Sequence, residues 1–143
     1  MSKSPIFPVP GDGKYIRQPL YAGNFCDVII SAVETPKPGE IHNISGQDKV
    51  YYVDLIKTAK DAVGARTNIV NIRYGLFWGL LKTYAVFDRD PPFTTKQLEA
   101  LVTPDEFDVI DWPTIFGVKA TGLDEALKET FRHPVYSKVS LEF

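Results

Sequence analysis

The chain has 143 residues, 44% hydrophobic and 24% charged, which is the balance of one ordinary folded domain rather than a disordered segment. Lys and Arg total 16 against 18 Asp and Glu, a net charge of −2, so the composition argues against a nucleic-acid partner, whose binding domains carry a basic patch. The single cysteine, Cys26, excludes an internal disulfide framework or a cysteine-rich zinc site and points to a reducing, cytoplasmic setting.

Residues 1–20 read as an extended, turn-rich lead. Pro5, Pro8 and Pro10 deny a helix its donors, and Gly11-Asp12-Gly13 is a turn signal. A strand over Ile16–Ala22 follows, limited by Pro19. Asn24 is placed to cap a helix in which Phe25, Val28, Ile29, Ala32 and Val33 repeat on one face. Thr35-Pro36-Lys37-Pro38-Gly39 ends it, and a short strand over Glu40–Ser45 stops at Gly46. A second helix is predicted over Tyr52–Val63, with Gly64 at its C′ position. Thr67–Arg73 alternates as a short strand. Leu76–Phe87 is a third helix, apolar nearly all round and therefore in need of cover on several sides. The longest uncharged apolar run, Tyr74–Leu81, is still far too short to span a membrane, and the N-terminal residues lack the apolar core of a secretion signal. Thr94 and Gln97 have capping-box spacing for a fourth helix that Pro104 ends. Residues 105–120 read as irregular and carry Trp112 and Phe116, expected to anchor that stretch against a last helix, Leu123–Arg132, capped by Thr121. The tail from Val135 to Phe143 adds an edge strand. The sum is a single α/β domain over residues 1–143, a small sheet of short strands with about five helices and a mostly helical C-terminal half. So small a sheet suggests that the chain completes something larger.

The chemistry-bearing residues are few. His42 and His133 are the only histidines; both read as surface or capping residues, and Cys26 as a small buried side chain. Neither catalytic nor metal-binding spacing is present. The acids at Asp105, Glu106, Asp108 and Asp111 read as a solvated loop. Gly75 and Gly79 suggest close helix packing. Gly11-x-Gly13 lacks the third glycine and the strand–helix frame of a dinucleotide fingerprint. Arg17, between the glycine turn and a helix, is the most informative polar residue, because a guanidinium there can grip a phosphate bidentately. A structural arginine is the other reading.

Three segments together resemble a known family. Gly11-Asp12-Gly13 through Arg17 and Tyr21 to Asn24 is similar to the G-x-G-x-x-x-R-x-x-x-Y-x-x-D element of extended short-chain dehydrogenases/reductases, the NAD-dependent epimerases and dehydratases of nucleotide sugars. His42-Asn43-Ile44-Ser45-Gly46 resembles their Y-N-I-G-x-G strand and turn. Ile115 to Leu127 resembles their closing L-G-x-x-P-x-x-x-L-x-E-x-L segment. The order is the family's, over residues 11 to 127. The resemblance implies a partial Rossmann-type, C-terminal substrate-binding lobe in which Arg17 contacts the diphosphate of a nucleotide sugar. Asn24 stands where the family has aspartate.

The family's full-length enzymes bind NAD or NADP through a glycine-rich turn and use a Tyr-x-x-x-Lys pair. None of the seven tyrosines here has a lysine four residues on. The expectation is therefore a nucleotide-sugar recognition lobe without a cofactor, a metal or catalytic residues of its own, inactive alone. The alternative is a non-catalytic interaction module, self-associating or docking through the apolar helix 76–87, without nucleic-acid or membrane partners.

Overall fold

A computed structural model describes residues 5–88, 93–135 and 137. The strands form two pairs. β1 (Ile6–Pro10) runs parallel to β4 (Asn68–Ile72), in register from Ile6 opposite Asn68 to Pro10 opposite Ile72; β2 (Ile16–Arg17) is antiparallel to β3 (Val50–Tyr51). Around them lie α1 (Ala22–Glu34), α2 (Tyr52–Val63), α3 (Tyr74–Phe87), α4 (Thr95–Val102), α5 (Trp112–Phe116) and α6 (Leu123–Arg132). The result is a small α/β fold, Rossmann-like in part: helices join parallel strands, but only two such strands occur among the described residues.

Several elements form where local signals put them. α2 has the predicted bounds, and Gly64 closes it in the left-handed conformation, φ 65°, donating back to Asp61 and Lys60. At α4 the Thr94 hydroxyl accepts from the Gln97 amide while the Gln97 side chain accepts from the Thr94 amide, a complete capping box.

Others differ. The proline-rich lead forms a strand, β1, instead of an open arm. The bonds Asn68 N–H to Pro5 O and Gly11 N–H to Ile72 O show that its odd residues face β4. Pro8 and Pro10 therefore turn their donorless nitrogens to the outer edge, where proline is tolerated. β2 is only two residues long. Residues 40–45 form no strand; the loop is tied at its end, where the Trp112 indole donates to Ser45 O and the Ser45 hydroxyl to Asp108 O. α5 forms inside the stretch read as irregular, because Asp111 caps it by accepting from the Thr114 amide, Pro113 suits a first turn, and Gly117 ends it at φ 64°. α6 starts from Gly122, not Thr121. The predicted edge strand over 135–143 lies largely outside the described residues.

The core is thin. Val9, Val28, Ala62, Leu98, Trp112 and Ala126 are buried, and α2 packs on α6, where Arg132 Nε donates to Ala62 O at 2.8 Å. Only Val28 of the predicted α1 face is buried; Phe25, Ile29 and Val33 are exposed, as is Cys26, which lies off the packed side. α3 has no buried residue, and nothing lies within 4 Å of where a side chain would start at Gly75 or Gly79, so the glycines serve no close packing. Phe77 meets Phe93 edge-on at 6.2 Å, but Leu76, Leu80, Val86 and Phe87 stay exposed. No helix among the described residues is long and apolar enough to cross a membrane.

Candidate functional site

The three segments singled out in the sequence meet in space. The first touches the second at Gly46: a Cβ there would collide with Pro19 O, so only glycine allows the approach, and Gln18 Nε2 donates to Gly46 O at 3.3 Å. It touches the third through Asn24. This residue sits inside the first turn of α1, and its side chain makes no helix cap. Instead Nδ2 donates to Lys119 O and Oδ1 accepts from the Thr121 amide, both at 2.9 Å, with the residue 3% exposed. α1 starts two residues before the predicted cap, from Tyr21, without a side-chain cap bond. The Ser31 hydroxyl adds a 2.6 Å bond to Phe116 O. The second and third segments are joined by the Trp112 indole, which donates to Ser45 O at 2.9 Å, and by His42, edge-on to Phe116 at 5.3 Å. Trp112 is buried and ties its stretch to Ser45 of the loop, where the expected anchor was the last helix, and Phe116 is only half-buried and packs on His42.

A cleft of about 460 Å³ opens where the segments converge, lined by Tyr21, Ala22, Gly46, Asp48, Trp112, Thr121 and Leu127 among others. The first turns of α1 and α6 border it, neither with a side-chain cap. Asp124 and Glu125 in the first turn of α6 offset that helix's positive end. A second, more apolar hollow of about 520 Å³ lies between α1, α5 and the 35–44 loop, with His42 on its wall 2.9 Å from Glu40.

Arg17 lines neither cavity. Its guanidinium, 13% exposed, lies at the C-terminal end of α4. Nη1 donates to Thr103 O at 2.8 Å and Ile16 O at 3.2 Å, and pairs with Asp105 Oδ2 at 2.9 Å; Nη2 reaches Ala100 O at 3.4 Å and Leu101 O. A cation suits this end of a helix, where carbonyls lack partners. Arg17 also lies 5.4 Å from the Tyr15 ring, which stacks on Tyr52 at 5.0 Å. Burial, then the neighbouring Tyr52, raises the Tyr15 hydroxyl above its ordinary range, Arg17 draws it partly back, and Asp12 adds to the rise; burial raises Tyr52 against the pull of Arg17. Both phenols therefore stay protonated at neutral pH.

The Gly11–Gly13 turn follows a strand but leads into β2 rather than a helix. Asp12 accepts from the Lys14 amide at 2.9 Å, and Gly13 (φ 71°) lies so close to Val9 and Val53 that a Cβ would meet each at 2.8 Å. The turn packs the chain and presents no helix end to a pyrophosphate. The acidic loop is not merely solvated: Asp105 pairs with Arg17, Lys49 with Glu106 at 2.7 Å, and Asp111 caps α5. Sequence reasoning missed Lys49; only its partner's place in the acidic run hinted at it. His133 ends α6, its Nδ1 accepting from the Val135 amide at 3.2 Å. No cluster of three or more His, Cys, Asp or Glu among the described residues is placed to hold a metal.

No protein-family model matches the chain, and no curated protein matches it. Solved structures do. UDP-glucuronic acid 4-epimerase from Bacillus cereus in complex with NAD aligns with a TM-score of 0.52 at 18% identity, over 86% of this chain and 30% of that one. A variant of that enzyme with UDP-4-deoxy-4-fluoro-glucuronic acid and NAD gives 0.55 at 18%, over 90% and 34%. dTDP-glucose 4,6-dehydratase from Bacillus anthracis gives 0.42 at 19%, too loose to build on. At such identities the likeness is one of fold, and the chain spans about a third of the length of the structures it matches.

Proposed function

We propose that this chain is the nucleotide-sugar recognition lobe of an NAD-dependent epimerase or dehydratase, acting in the cytoplasm with a cofactor-binding part that lies outside the residues present here. One observation carries the reading: residues from all three family-like segments, far apart in the chain, line or brace one cleft in a fold that aligns with part of a sugar-nucleotide epimerase. In this reading Arg17, which lies outside the cleft, meets the diphosphate where Asp105 now pairs with it. The carbonyls of α4 hold its guanidinium in place beforehand, so the edge toward Asp105 is the one that faces ligand. NAD or NADP is held elsewhere in this reading, since the Gly11–Gly13 turn, which follows β1, leads into β2 and not into a helix. Alone the lobe binds but does not catalyse. Isothermal titration checks this: UDP or a UDP-sugar should bind saturably and NAD should not. Micromolar NAD binding, or no binding of UDP and dTDP derivatives, overturns it.

The exposed apolar surface of α3 favours a second reading, an interaction module that docks or self-associates through this helix. The two readings are compatible, because α3 contributes no residue to the cleft.

A further inference from the structure

The cleft where the three segments converge is one-sided in charge. Its volume, about 460 Å³, lies in the usual range for a small-ligand site, roughly 300–1,000 Å³. Among the described residues that line it there is no lysine, arginine or histidine. Asp48 stands on its wall, exposed, and no hydrogen bond or ion pair between described residues engages the carboxylate. Another stretch of wall is the start of α6, where Gly122 and Leu123 line the cleft and Asp124 and Glu125 follow directly. Nothing in the lining offsets these acids. Hydrogen-bond donors are nonetheless at hand: α1 and α6 both begin at this border without a side-chain cap, so first-turn amides have no partner within their own helix.

We propose that this cleft takes the sugar ring of the nucleotide sugar and selects an uncharged ring over one that carries a carboxylate, with Asp48 as the discriminating residue. The proposal rests on the nucleotide-sugar reading above and names which sugars the site admits. A ring hydroxyl both donates and accepts. It can donate to Asp48, a charge-assisted bond stronger than one between neutral groups, and accept from a first-turn amide. A ring carboxylate is an acceptor only. Facing Asp48 it has no hydrogen to give, and the two negative charges repel with no cation in the described lining to offset them. Discrimination of this kind comes from a penalty on the wrong ligand as well as from contacts to the right one.

Isothermal titration with UDP-glucose and UDP-glucuronic acid tests this, with UDP as the reference; the two sugars differ only in a hydroxymethyl group in one and a carboxylate in the other. UDP-glucose should bind roughly five- to fiftyfold more tightly at low salt, the range expected for two unit charges a few ångströms apart near a protein surface. The gap should narrow as salt is raised, because salt screens exposed charges. Asp48→Asn should tighten UDP-glucuronic acid binding, weaken UDP-glucose binding slightly and so close most of the gap. Circular dichroism confirms folding, and the salt series on the wild type tests the same repulsion without any substitution. Equal or reversed affinities of the wild type for the two sugars, with UDP still binding, overturn the selectivity and leave the nucleotide reading intact. A gap that Asp48→Asn leaves unchanged overturns the role of Asp48. Failure to bind any of the three overturns both this inference and the nucleotide-sugar reading.

Discussion

Asn24→Asp is the sharpest test of how the three segments hold together, because the resembled family carries aspartate at this position. The amide orientation is fixed by its partners: a carbonyl can only accept and a backbone amide can only donate. The substituted carboxylate would keep the Thr121 bond but would turn its second oxygen toward Lys119 O, where Nδ2 of Asn24 now donates at 2.9 Å. One hydrogen bond is lost, and a carboxylate oxygen is left facing a carbonyl at a site 3% exposed. The first costs about 1 kcal/mol and the second about 1–3 more, so the variant should lose roughly 2–4 kcal/mol at neutral pH. The penalty should depend on pH. Burial beside a carbonyl raises the new carboxyl's folded-state pKa above its unfolded value of about 3.9, so the stability it costs is lost as pH rises through that raised value and is regained on acidification, when the protonated acid can donate to Lys119 O. Asn24→Ala, which abandons both partners, should lose a similar amount with no such pH dependence. Urea denaturation followed by tryptophan fluorescence at about pH 7 and about pH 4.5 measures both. An Asn24→Asp protein as stable as wild type at neutral pH, or one whose deficit grows on acidification, would refute the clamp.

Trp112→Ala should cost roughly 3–5 kcal/mol, because it empties a fully buried indole site and leaves Ser45 O without its donor; an unchanged thermal melt would mean that Trp112 does not anchor the loop. Stability should fall as pH rises above 10, the ordinary tyrosine value, because the unfolded chain can then ionise Tyr15 while burial holds the folded form protonated. Tyr15→Phe should lessen that alkaline loss, and a variant with the wild-type profile in denaturation at high pH would argue against it. The chain should associate with rising concentration in light scattering, and Leu76→Glu with Leu80→Glu, at exposed positions of α3, should suppress this without unfolding the protein. A wild type that stays monomeric and binds no apolar dye would show that α3 needs no partner.

The elements that the sequence revealed are those written in neighbouring residues. Thr94 and Gln97 make a capping box because both partners lie within one turn, and Gly64 stops α2 because its conformation needs no distant contact. The elements that were hidden depend on partners far along the chain. β1 exists only through β4, some sixty residues later, and its prolines disguise it as an open arm. Residues 40–45 read as a short strand but find no strand to pair with among the described residues; Trp112 bonds Ser45 O and Gln18 bonds the adjoining Gly46 O instead. Asn24 looked like a cap because capping is what asparagine does locally, whereas here its amide serves a loop about 95 residues away. The same holds for the site. The segments near Arg17 were legible as a family pattern; Gly46 matches it and Asn24 departs from it, and both brace the fold at the wall of the cleft. Lys49 matches nothing and comes to light only through its pairing with Glu106.

The two prolines of β1 give the parallel pair a direction of growth. Along its outer margin, alternate positions carry the nitrogens of Pro8 and Pro10, which have no hydrogen to offer, so an extended segment laid there would find its ladder interrupted twice within five residues. The opposite margin differs. Ile69 and Asn71 of β4 aim their amide groups away from β1, and β4 has no second strand partner among the described residues. Any chain that widens this sheet, in a larger enzyme or in an assembly, has to join beyond β4; the proline margin is where the sheet ends.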